Sequence, residues 1–94
     1  MHIASVEIYS DQTNAAIMRH PDRHFPGVLI QGDSLHALCL QADETCAAAK
    51  GGLDPEAYGE LNELRNALWG YLNHYKVVLG EHKIGLPFSD GAGA

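Results

Sequence analysis

Few places in this chain could do chemistry. The densest is His20-Pro21-Asp22-Arg23-His24-Phe25, where two imidazoles and a carboxylate fall within five residues. His20, Asp22 and His24 are ligand types for a divalent transition metal. Their spacing matches no closed zinc motif, and a fourth ligand would have to come from elsewhere. Arg19, Arg23 and the histidines could instead make a surface contact. The plain alternative is a solvated, proline-stiffened connector with Phe25 tucked into the core.

Three other places invite a functional reading. Gly32-Asp33-Ser34-Leu35 is a strand-to-helix turn, and helix N-termini bind phosphate through free amides. It lacks the lysine and further glycines of a phosphate loop, and Asp33 would repel an anion, so capping is its expected role. Glu56, Glu60 and Glu63 form an acidic stripe. Such a stripe is commonly a solvated face, and it also steers basic partners. Trp69 falls at the edge of an apolar stripe rather than its centre, where it would border a pocket or an interface. Core packing is the ordinary role of Tyr58, Trp69, Tyr71 and Tyr75. No Ser-His-Asp elbow, HExxH or Walker loop is present, so no catalytic residue and no cofactor is expected.

The positioning elements follow from periodicity. In residues 3–9, Ala4, Val6 and Ile8 alternate with Ser5, Glu7 and Tyr9, the pattern of a half-buried strand. Ser10 to Asn14 is turn chemistry. Residues 15–19 read as a second strand ended by Pro21, and Val28-Leu29-Ile30-Gln31 as a third. Short connections make the three an antiparallel meander. At Gly32 the period changes to that of a helix. Asp33 or Ser34 is the expected N-cap. Positions 35, 38, 39, 42, 46 and 49 form a narrow stripe of mostly small residues, and Lys50-Gly51-Gly52 stops it. Asp54-Pro55-Glu56 opens a second helix. Leu61, Leu64, Leu68, Tyr71, Leu72, Tyr75 and Leu79 form its bulky face, and Gly80 or Gly85 ends it. Residues 84–88 are apolar and should fold back, and 89–94 read as a disordered tail. The fold expected is α+β: a three-stranded antiparallel sheet covered on one face by a C-terminal helical hairpin, β-β-β-α-α, as one domain over residues 1–88.

Composition narrows the function. The chain has 94 residues, is 46% hydrophobic and carries a formal charge of −6. An acidic chain is a poor match for nucleic acid. No apolar run reaches the length of a membrane-spanning helix, about 20 residues, and the N-terminus lacks the basic start of a secretory signal. Cys39 and Cys46 lie about 10 Å apart along one helix. That is too far for a disulfide, which needs Cα atoms within about 7 Å. Two buried free thiols suit a cytoplasmic protein. A small core, with Leu40 and Val77 lying off their stripes, is compatible with a homodimer.

Tyr9-Ser10-Asp11-Gln12-Thr13-Asn14 and Phe25-Pro26-Gly27-Val28-Leu29-Ile30-Gln31-Gly32-Asp33-Ser34-Leu35 resemble a family of small, stand-alone bacterial proteins of unknown function. The resemblance covers residues 3 to about 88 and implies no catalytic residue. In size and charge such proteins are also like the immunity proteins that neutralise secreted toxins, an analogy only. The function expected is therefore a non-enzymatic interaction protein that presents Glu56, Glu60, Glu63 and Trp69 to a basic protein partner. The alternative is a small-molecule- or metal-binding domain with the His20–Phe25 loop at its mouth.

Overall fold

The computed structural model describes residues 1–89; the expected tail therefore lies outside the described residues except for Ser89. The element order is β1 (Glu7–Ser10), β2 (Ala15–Arg19), β3 (Gly27–Ile30), α1 (Gly32–Ala49) and α2 (Pro55–Glu81). This is the expected β-β-β-α-α order of an α+β chain. The chain resolves into two compact units, Met1–Gln31 and Gly32–Ala94.

The first unit is an antiparallel sheet of order β1-β2-β3. Register pairs Ile8 with Met18, Met18 with Gly27, Ala16 with Leu29, and Ile17 with Val28. Residues opposite one another share a face. Ile8, Ala16, Met18 and Leu29 therefore lie on one side, and Ala15, Ile17, Val28 and Ile30 on the other, so both faces are apolar. The strand expected over 3–9 is shorter, because β1 pairs only from Glu7, opposite Arg19. Beyond Arg19 the partner strand runs into His20-Pro21, and the ladder has nothing to continue on. A bulge falls between Ile8 and Ser10. In the first turn the Thr13 hydroxyl donates to the Ala15 carbonyl at 3.0 Å and accepts from the Ala15 amide at 3.2 Å.

The second unit is a helical hairpin. Here α1 starts at Gly32, ahead of the expected cap at Asp33 or Ser34. Asp33 sits in the first turn, and its carboxylate accepts the Ser34 amide at 2.9 Å, where negative charge suits the helix dipole. A glycine is needed at this first position because the Tyr75 ring lies where a Cβ would be. Gly51 takes a φ of 81° after α1, the left-handed conformation a glycine stop uses. Asp54 caps α2 as expected, accepting the Ala57 amide at 2.9 Å, with Pro55 at the first helical position.

The far end of α2 differs from expectation. Gly80 lies inside the helix, and Gly85 is not the cap. Lys83 instead takes the left-handed conformation at φ 58°. Its amide donates to the Gly80 carbonyl at 3.2 Å, and the Ile84 amide to the Leu79 carbonyl at 2.9 Å. These two bonds are a Schellman motif, built without its usual glycine. Residues 84–88 fold back as expected. Phe88 stacks on His36 with centroids 4.2 Å apart and reaches Tyr75 at 6.5 Å.

The hairpin core is the small-on-large seam the sequence indicates. Cys39 and Leu72 are fully buried and Cys46 nearly so. Both cysteines are free, and the Cys46 thiol points to the Leu61 carbonyl at 3.9 Å. Two members of the expected bulky face are not in it. Leu64 is 58% exposed and Tyr71 68%. At about 100° per residue, Leu64 lies roughly 80° and Tyr71 roughly 100° round the helix from Leu72. A face of cysteines and alanines is too narrow to cover that arc.

Candidate functional site

Two surfaces bring chemistry-bearing residues together, one in each unit. On the hairpin, the flank that escapes the seam opens as a groove of about 210 Å³ between α1 and α2, lined by Leu38, Gln41, Ala42, Thr45, Leu61, Leu64, Arg65 and Leu68. Its leucines come from both helices, and Leu38 and Leu64 are exposed. Glu56, Glu60 and Leu64 are spaced four residues apart on α2, so each neighbours the next. Glu63 lies beside them. All three glutamates are exposed, and none is in an ion pair among the described residues. Glu60 thus borders the groove beside Leu64, and Glu56 and Glu63 lie further round α2.

Trp69 is not part of that surface. It falls about 180° round the helix from Glu60. Its indole N–H donates to the Asp43 carboxylate at 2.9 Å. Arg65 reaches the same carboxylate at 3.5 Å and donates to the Asn66 side chain at 3.2 Å. Asp43 therefore ties α1 to two residues of α2. The ion pair is partly solvated and contributes at most about 1 kcal/mol; the indole bond adds direction. The Arg65 Nε is buried without a partner. Burial first, and the charge of Asp43 second, pushes the Cys39 thiol above its ordinary range.

In the sheet unit, a cavity of about 270 Å³ is lined by Val6, Met18, His20, Arg23, Phe25, Gly27, Val28 and Leu29. The loop beside it is a tight turn. The Arg23 amide donates to the His20 carbonyl at 2.9 Å, and the Asp22 amide donates to His20 Nδ1 at 3.1 Å. A neutral His20 then carries its proton on Nε2. Arg19 pairs with Glu7 across the sheet and donates to the Arg23 carbonyl at 3.1 Å. The bond to Glu7 holds the Arg19 guanidinium above its already high ordinary pKa. His24 turns edge-on to Phe25, with centroids 4.6 Å apart. Phe25 is 75% exposed rather than tucked into a core, because it packs on His24 at the loop surface. Among the described residues, no three His, Cys, Asp or Glu side chains group where an ion could be held.

The groove leucines and the Asp43–Arg65–Trp69 link are features the sequence reading missed. The signal for the groove was present, because Leu64 and Tyr71 lie off the axis of the Leu61–Leu68–Leu72 row. Among the described residues no helix is long and apolar enough to cross a membrane. No curated protein and no solved structure matches the chain. The sequence model of a family of unknown function (DUF6959) matches residues 1–88. That span is nearly the whole chain, and the protein belongs to this family.

Proposed function

We propose that this protein is a binding module whose hairpin groove takes a cationic amphipathic segment of a partner protein. The observation that carries this reading is an acidic border beside an apolar trough. Leu38, Leu61, Leu64 and Leu68 offer the trough, with Arg65 also in its lining, and Glu60 stands next to Leu64 on α2, with Glu56 and Glu63 further round the helix. A helix laid in such a trough buries its leucine face and sets its Lys or Arg residues over the glutamates. Apolar contact supplies most of the affinity. The carboxylates set the sign of the partner and the rate of encounter. The chain's net charge of −6 adds to that steering, and the two free buried thiols support a reducing, cytoplasmic setting.

The test uses two synthetic helix-forming peptides with the same leucine face, one flanked by lysines and one by glutamates. The basic peptide should bind, and added salt should slow its association. Glu60→Lys with Glu63→Lys should slow association at least tenfold, and Leu64→Glu should abolish binding with circular dichroism unchanged. Equal binding of both peptides, or binding insensitive to Leu64→Glu, refutes the reading.

A second reading rests on the sheet cavity. Its apolar lining beside Arg23 and the His20 ring suits a small apolar molecule with an anionic end. Shifts in the amide resonances of His20–Phe25 on titration with an aromatic carboxylate would favour it over the groove.

A further inference from the structure

We infer that β3 is the seam of a symmetric homodimer, in which a second copy of this chain adds its own β3 antiparallel across a two-fold axis. The sheet has two edges, β1 and β3, and they differ in kind. An edge strand presents unpaired amides and carbonyls, and soluble proteins blunt such edges with charge, bulges or twist. The β1 edge has these devices: Glu7, a bulge between Ile8 and Ser10, and Asp11 just beyond. The β3 edge is short and follows Pro26, but it carries neither a charge nor a bulge. Its sequence is Gly-Val-Leu-Ile, its ladder to β2 is regular, and Val28, Leu29 and Ile30 are 59%, 52% and 42% exposed. Among the described residues its outer backbone groups make no hydrogen bond beyond that ladder.

The strand itself selects the occupant. Val28 and Ile30 point to one face and Leu29 to the other, so a partner strand must be apolar on both sides. β3 meets that condition. A two-fold axis through Leu29 sets Leu29 against its own copy and Val28 against Ile30, with no charge opposed to charge. Centring on Val28 instead would bring Pro26, which has no amide to donate, opposite Ile30. The dimer also answers a shortage within the unit. Not one residue of 1–31 is buried. Pairing at β3 would cover its outer edge and flank Val28, Leu29 and Ile30 with the same residues of the second copy.

The experiment is a concentration series of the full chain by sedimentation equilibrium, with three variants. The natural chain should reach two chains per particle. Leu29→Lys sets two ammonium groups against one another and should halve that mass with circular dichroism unchanged. Under mild oxidation Leu29→Cys should form a covalent dimer bridged between the two substituted positions, because directly opposed Cα atoms lie about 4.5–5.5 Å apart. Ile30→Cys should not, because its own copy lies on the diagonal, about 7–8 Å away. A natural chain that stays monomeric at every concentration overturns the inference. So does a dimer whose mass Leu29→Lys leaves unchanged. If Leu29→Lys fails to fold, the cysteine pair decides: equal cross-linking of both variants overturns the inference, and cross-linking of Leu29→Cys alone upholds it.

Discussion

Replacing Gly32 with alanine tests the hairpin by the sign of its effect. Gly→Ala at a helical position is ordinarily stabilising by about 0.4–1 kcal/mol, because it removes freedom from the unfolded chain. Gly32 has no positive φ to oppose the change. The obstacle is packing. A Cβ there would collide with the phenol of Tyr75, at the ring carbons and the hydroxyl alike. A ring is not a flexible tip, and this one also faces Phe88, which is stacked on His36. Overpacking of this kind costs about 1–3 kcal/mol. The net expectation for Gly32→Ala is a loss of about 0.5–2 kcal/mol. At about 4–8 °C per kcal/mol, the melting temperature should fall by several degrees. Thermal and urea unfolding of the full chain would measure it. The decisive comparison is a double-mutant cycle. In a Tyr75→Ala background the ring is gone, and Gly32→Ala should turn stabilising. A stabilising Gly32→Ala in the natural chain would refute the contact, and with it the need for a glycine at this position.

Two further outcomes are expected. Lys83→Gly should stabilise the hairpin by about 0.5–1 kcal/mol, since the left-handed conformation costs an L-residue about 1–2 kcal/mol and glycine returns part of that as unfolded freedom; a destabilised variant in urea titrations would contradict the Schellman assignment. For Cys39 the folded-state pKa is raised, so below the unfolded thiol value, about 8.5, both states hold the proton and stability is unaffected. Above it the unfolded chain loses the proton first, and stability should fall as pH rises, with a shallower fall in Cys39→Ala; identical alkaline slopes in the two proteins would count against burial of that thiol.

The sequence disclosed those parts of the fold where local chemistry and global packing agree. The turn residues between β1 and β2, the Asp54-Pro55 start and the glycine stop after α1 each have a cause within a few residues, and each is found. The start of α1 and the end of α2 were not legible in the same way. At the first position of α1 no side chain fits beside a ring forty-three residues later in the chain. Lys83 takes a glycine's conformation because two amides find carbonyls there. Neither cause is local. The candidate sites divide similarly. Glu56, Glu60 and Glu63 are on the surface, as a stripe without apolar members had to be. Trp69 sits off the leucine row, and its indole has an internal partner in Asp43. The sequence places Asp43 and Trp69 on different helices, and only the hairpin pairs them.

The same packing that closes the seam creates the groove. A close approach of two helices needs small side chains on at least one of them, and α1 supplies Cys39, Ala42 and Cys46. That choice buries Leu72 fully. It also limits the arc of α2 that α1 can cover, so Leu64 and Tyr71 are left outside although their types would suit a core. Had α1 carried leucines at 39, 42 and 46, the helices would stand further apart and the seam would be wider, at the expense of the trough beside it. The stranded Leu64 lies next to Glu60 on α2, whose glutamates have no basic partner among the described residues. Solubility explains charge on a surface, but it would be served equally well by paired Lys and Glu four residues apart, which also stabilise a helix. Leaving the carboxylates unpaired beside uncovered leucines forgoes that stabilisation. A basic amphipathic partner would satisfy both groups at once, and this gives the groove, rather than the Trp69 flank, the stronger claim to function.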